Sequence, residues 1–314
     1  MAKGIPLMGR DPDGKAKIIN VDENGNVKVQ LSGTFAEDIL SKVDLSNSLL
    51  ALISHGQTKA VLNSWQQVQH IVRAGLHHQV FQIGDQFVTE FNGAPSVWVV
   101  IGIDHDKPTD PRFTHSLTIQ SHDCLLNAQF DAPEPDNPDS NRQLYGNNRY
   151  LHSAIRQWLN SAETTFTWQP QHQYDAAPTG APYNGAGFLK LLDPDLVAVL
   201  GAVDKQVARN TVTDGGGQDL FSDKVFLLST VEVYGEPEGE GEAPYPYYES
   251  LASGPTTSAL DGRIKYLGAS AQAWWLRSPS LGHTYVTRSV YTTGSVALPY
   301  THSSIGVAPA VVIV

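Results

Sequence analysis

Trp274-Trp275-Leu276-Arg277-Ser278-Pro279 is the densest local unit of the chain: two adjacent tryptophans, a leucine, an arginine and a proline. From here to Val314 no helical period is present and turn residues punctuate short apolar runs, so the region reads as β. Neighbouring strand residues point to opposite faces, which predicts one of Trp274 and Trp275 in the core and the other at the surface. An exposed Trp275 beside Arg277 would make an interaction hot spot. His283, Tyr285, Arg288, Tyr291, Tyr300 and His302 follow on short strands and turns. Side chains with an apolar body and a polar tip suit sugar or protein recognition. The candidate ligand contacts are therefore Trp275, Arg277, His283, Tyr285, Arg288, Tyr291, Tyr300 and His302. The plainer alternative, that some of them merely cover the sheet, stays open.

Upstream, Val97–Ile103 is nearly all apolar and reads as a central buried strand. Val80–Phe91, broken by Gly84-Asp85, His115–Gln120 and Lys224–Val233 read as further strands. Trp65, Val68, Ile71, Val72 and Leu76 mark a helix ending near His77-His78, and Ile155, Trp158 and Leu159 mark another over Ser153–Asn160. Asp193-Pro194 is an N-cap with proline at the first helical position, opening a helix over Asp195–Val203. Asp131–Arg142 and the acidic Gly235–Tyr248 read as solvated surface loops. Residues 58–314 thus form one α+β domain.

Residues 1–33 read as a separate arm. Asp11-Pro12-Asp13-Gly14 is a turn, and Asn24-Gly25 predicts a β-hairpin in which Val27, Val29 and Leu31 share a face. A lone hairpin is marginal in water, so it is expected to pack on a partner, on another copy, or along an edge of the main domain. Residues 34–57 are a linker containing a helix, either oligomerising or packed on the domain.

The chain has 314 residues and a net charge of −11, which disfavours non-specific binding to nucleic acid or anionic membrane. Cys124 is the single cysteine, so no intrachain disulfide exists. No secretory leader is read at the N-terminus, and no apolar run approaches the roughly 20 residues of a membrane span.

The chemical constellations are weak. His122-Asp123-Cys124 places a thiol near an imidazole, but a buried structural cysteine is the better reading. Asp104, Asp106 and Asp110 depart from a calcium loop, because Pro108 interrupts them, and read as a solvated turn. His77, His78, His115 and His122 lack the spacing of a known zinc motif. Asp214-Gly215-Gly216-Gly217 lacks a Walker lysine; it reads as a loop with left-handed glycines, flexible or docked by side chains. No catalytic residue, metal or cofactor is expected.

Six motifs in order carry a resemblance: Phe81-Gln82-Ile83-Gly84-Asp85, Trp98-Val99-Val100-Ile101-Gly102, Tyr145-Gly146-Asn147-Asn148-Arg149-Tyr150, Ile155-Arg156-Gln157-Trp158-Leu159-Asn160, Asp223-Lys224-Val225-Phe226-Leu227-Leu228-Ser229, and the opening stretch. Over roughly residues 65–314 they resemble the DUF6273 domain family of bacterial and prophage proteins. That resemblance implies a C-type-lectin-like fold, related in shape to the variable proteins of diversity-generating retroelements and to formylglycine-generating enzymes. The paired cysteines of those enzymes are missing, and Glu134-Pro135-Asp136 stands in the wrong order for a calcium-dependent sugar loop. Gly4–Arg10 through Val27–Gly33 resembles the leader of phage virion proteins. The two resemblances imply a virion protein, made in the host cytoplasm. Its arm would attach to other capsid or tail proteins, and its lectin-like domain would bind a host-surface glycan or protein; a protruding spike is usually a homo-oligomer, and the helix over 36–54 makes a trimer the expected state. A capsid or tail decoration protein is the alternative reading, and a lectin-fold enzyme the third.

Overall fold

The computed structural model describes residues 64–235, 242–251 and 260–314, together with the backbone of 8–10 and 16–18. The chain divides into two compact units, Met1–Val61 and Leu62–Val314. In the first, β1 (Met8–Arg10) pairs antiparallel with β2 (Ala16–Ile18), Gly9 opposite Lys17, on either side of Asp11-Pro12-Asp13-Gly14. The Asn24-Gly25 hairpin with Val27, Val29 and Leu31, and the helix within 34–57, lie outside the described residues.

The second unit is α+β, mostly sheet with short helices. Its early strands are β3 (Gln86–Phe91), β4 (Ala94–Ile103), β5 (Leu117–Ser121) and β6 (Leu126–Ala128), followed by β7 (Val203–Ala208), β8 (Gln218–Asp223) and β9 (Val225–Phe226). Then come β10 (Lys265–Leu267), β11 (Ser270–Gln272), β12 (Trp274–Pro279), β13 (Thr287–Val290), β14 (Val296–Ala297), β15 (Ile305–Val307) and β16 (Ala310–Ile313). One five-stranded sheet has the order β3-β4-β5-β16-β9 and the other β14-β13-β12-β15-β6, while β7-β8 and β10-β11 are separate pairs. The main core contains Val99 and Ile101 of β4, Phe226 of β9, Val312 of β16, Trp274 and Leu276 of β12, and Val290 of β13. Burying these apolar groups from both sheets is the principal drive to fold.

β4 meets its sequence expectation, since Trp98–Gly102 is buried on both faces between β3 and β5. The helix Trp65–Arg73 buries Trp65, Val68, Ile71 and Val72 and is capped by the Ser64 side chain, which accepts from the Gln67 N–H. Ser153 caps Ala154–Leu159 in the same way, and Ile155, Trp158 and Leu159 point inward.

Several boundaries differ from the sequence reading. His77-His78 does not end a helix but opens a second short one, His77–Val80, after the chain turns at Gly75 with φ +69°. The helix begun by Asp193-Pro194 stops at Val199, because Leu200 bridges to Ile313 and Val203 enters β7. Lys224–Val233 is not one strand. Only Val225–Phe226 pairs, after which Ser229 and Glu232 close a reciprocal capping box on the helix Thr230–Tyr234. Among the described residues, both supposed surface loops send some side chains inward, while the acidic stretch 236–241 lies outside the described residues. In Gly235–Tyr248, the side chains of Tyr245 and Tyr248 are buried in the core and Pro246 starts a helix. In Asp131–Arg142, Asp131 and Glu134 are buried: Asp131 accepts from the Asn147 and Ala154 N–H groups, and Asn137 donates to Glu134. Composition suggested solvation there, but donors from distant segments replace water.

Candidate functional site

Trp274 and Trp275 alternate across β12 as the strand period requires, yet neither reaches the surface. Trp274 enters the core between the sheets, its indole N–H donating to the Arg263 carbonyl. Trp275 faces the other way and meets Phe130 at 5.5 Å between ring centroids, its N–H donating to the Ala128 carbonyl. The expectation of one exposed tryptophan is corrected, because a second layer containing Phe130 and Tyr150 covers the far face of the sheet.

Arg277 is also fully buried. Its guanidinium donates to Glu232, Glu242 and the carbonyls of Leu227 and Gln206. Lys205 joins the same cluster, donating to Asp106 at 2.7 Å, to Glu232, and to the Tyr245 hydroxyl at 3.3 Å. Two cations thus meet three carboxylates, Asp106 and Glu232 buried and Glu242 at the edge of a surface pocket. Burial alone would raise the Glu232 pKa, but Arg277 and Lys205 outweigh it and hold it at about 2. Neither Trp275 nor Arg277 has exposed surface to offer a partner.

Four other candidates do come together. Tyr285, Tyr300 and His302 gather around Tyr145, the last residue of the helix Ser140–Tyr145. Tyr145 stacks on Tyr300 at 4.2 Å and 13°, and on Tyr285 at 5.2 Å and 28°. His302 lies 5.5 Å from Tyr145, and His283 sets its ring edge-on to Tyr285 at 5.8 Å. Tyr300 is 43% exposed and His283 is exposed, while Tyr145, Tyr285 and His302 are half-buried. Leu144, 60% exposed, adds apolar surface next to Tyr145. The cluster presents ring surface with hydroxyl and imidazole tips, which can combine apolar stacking with hydrogen bonding.

The backbone beneath fixes these rings. The Tyr145 carbonyl accepts from the Thr301 hydroxyl and from the His302 N–H at 3.0 Å. Gly146 follows with φ +88°, where a Cβ would lie 2.5 Å from the Ala132 carbonyl oxygen, so only glycine lets Tyr145 sit there. Asn148, fully buried, donates through its amide to the carbonyls of His283 at 2.7 Å, Val286 at 2.9 Å and Ser280 at 3.3 Å. That one side chain pins the loop carrying His283 and Tyr285. Asn210 donates in turn to Asn148 and to Asp214, and Arg142 also pairs with Asp214. The loop 214–217, with all three glycines at positive φ, is therefore docked by side chains.

Tyr291, 50% exposed, stands on the β13–β14 turn, and among the described residues it stacks on none of these rings. Arg288 is half-buried on β13. Sequence reading did not single out Tyr145, Gly146 or Asn148, although all three lie in the Tyr145–Tyr150 motif.

The remaining constellations sort differently. Cys124 is buried and its thiol is pushed up to about 12 by desolvation, so it stays protonated at neutral pH. The three aspartates are not one solvated turn. Asp106 is buried on Lys205, Asp110 pairs with Arg112 at the surface, and Asp104 meets three imidazoles. His77 Nε2 lies 2.9 Å from Asp104, His78 Nε2 2.8 Å and His115 Nδ1 3.2 Å. His122 stands apart, paired with Asp123.

A family model described as a domain of unknown function (DUF6273) matches residues 118–314. No curated protein and no solved structure matches the chain.

Proposed function

The chain belongs to the DUF6273 family, and from that membership we propose a phage virion protein that displays a C-type-lectin-like domain to bind a host-surface glycan or protein. The lectin-like reading is supported by one α+β unit of mixed short strands and several helices. The virion reading is supported by the resemblance of the N-terminal arm to virion leaders and by the division of the chain at Val61. The observation that carries the binding claim is the partly exposed ring cluster of Tyr145, Tyr285, Tyr300 and His302. Tyrosines contribute large contact area with little rotamer entropy to lose, and their hydroxyls fix the orientation of a polar partner. No chemistry is assigned to the site, and no metal or cofactor enters this reading.

Labelled full-length protein should bind host cells, and Tyr300→Ala should weaken that binding about tenfold, roughly 1.4 kcal/mol, with an unchanged melting temperature. Periodate treatment of the cells separates the ligands: loss of binding identifies a glycan, and retention identifies a protein. Equal binding by wild type and by the Tyr285→Ala/Tyr300→Ala double variant sinks the assignment of this surface. Deletion of the gene should reduce adsorption of the particle. Loss of particle stability with normal adsorption would mark a decoration protein instead.

A further inference from the structure

We propose that His77, His78 and Asp104 bind a Zn2+ ion, with His115 holding the Asp104 carboxylate and water completing the coordination. The residues come from three segments. His77 and His78 open the short helix His77–Val80, Asp104 directly follows β4, and His115 precedes β5. One ring nitrogen of His77, one of His78 and a carboxylate oxygen of Asp104 all lie within 4.8 Å of one another. His77 Nε2 lies 2.9 Å from Oδ1 of Asp104 and His78 Nε2 lies 2.8 Å from Oδ2, both shorter than the edge of about 3.4 Å in a tetrahedron with bonds near 2.1 Å, so the side chains must move outward by about half an ångström to admit the ion.

His77 carries the argument. Its side chain is fully buried, yet neither ring nitrogen has a hydrogen-bond partner. Nε2 is close to Asp104 but off the line that a hydrogen bond requires. A hydrogen bond aims the ring nitrogen at the oxygen, whereas two ligands of one ion aim past each other at a shared point. A buried imidazole left unsatisfied costs free energy that an ion at that point would recover.

The surroundings fit a ligand set. The Ser116 N–H donates to Asp104 at 2.9 Å and the His115 ring approaches the same carboxylate, the outer contacts that orient a coordinating group. Asp104 has φ +50°, a left-handed conformation that aspartate tolerates better than most residues. Gly75 makes room for His115, since a Cβ there would lie 3.0 Å from its Nε2. His78 is 56% exposed, which opens the site to an entering ion and to water. Two imidazoles and one carboxylate select Zn2+ over Ca2+ or Mg2+, which prefer all-oxygen sites.

The test is calorimetric titration of chelator-treated full-length protein with Zn2+ and, separately, Ca2+. One equivalent of Zn2+ should bind, Ca2+ should not, and the melting temperature should rise with Zn2+. His78→Ala, at an exposed position, should fold normally and bind at least tenfold more weakly, while His122→Ala should bind as wild type does. Asp104→Asn should lose binding in the same way. Failure of wild type to take up stoichiometric Zn2+ overturns the proposal. So does uptake that His78→Ala leaves unchanged, because the ion then sits on other histidines.

Discussion

Glu232 is an anion with no exposed surface, and it remains one because Arg277 and Lys205 both donate to it. Replacing it with glutamine leaves two buried cations short of a partner, and Glu232→Gln should cost about 3–5 kcal/mol in chemical denaturation. The pH dependence has a definite sign. The folded pKa of about 2 lies below the ordinary 4.5, so the stabilisation is complete above pH 4.5 and is lost as pH falls towards 2. The stability gap between wild type and Glu232→Gln should therefore narrow across that window. The β period of the Trp274–Pro279 stretch was legible in the sequence, and the side chains do alternate. Whether each face is covered was not legible, because Phe130, Glu232 and Glu242 arrive from other parts of the chain.

Among the elements, the helix Thr230–Tyr234 shows how a readable signal was missed. Ser229-Thr230-Val231-Glu232 is a capping-box sequence, but the apolar run Val225–Leu228 before it suggested a continuing strand. Removing the cap with Ser229→Ala should destabilise the protein by about 1 kcal/mol, a fall of about 2–4 °C in melting temperature for a unit of this size. The loop of His283 and Tyr285 depends on one side chain in the same manner. Asn148→Ala leaves the carbonyls of Ser280, His283 and Val286 without that donor, so hydrogen exchange across 280–286 should accelerate and host-cell binding should fall with it. The ring cluster was half legible. Tyr285, Tyr300, His283 and His302 stood out as exposed-type aromatics in one segment, whereas Tyr145 joins them from far upstream through contacts that sequence spacing does not encode. The imidazole cluster was legible only in part: His77, His78 and His115 stood out together as candidate zinc ligands, but Asp104 joins His115 through the pairing of β4 with β5 and His77 comes from a separate helix.

At the scale of the molecule, the α+β class followed from period and composition, while the order of strands did not. The unit Leu62–Val314 contains its own core, so a fragment spanning it should unfold in a single cooperative transition, with a melting temperature close to that of the full chain. Within that unit β16 lies between β5 and β9, Ala310 opposite both Gln120 and Phe226. The Val314 carbonyl accepts from Gln69 at 2.8 Å and Arg73 at 3.1 Å. A strand from the end of the described chain therefore completes the interior of a sheet whose other members precede it by many residues. During synthesis, β3, β4 and β5 leave the ribosome long before it, with the β5 edge bare of its partner. The sheet closes only once residue 313 has cleared the exit tunnel. Closure of this sheet thus waits for a strand made long after β5, and the waiting β5 edge makes the nascent chain a natural client for chaperones.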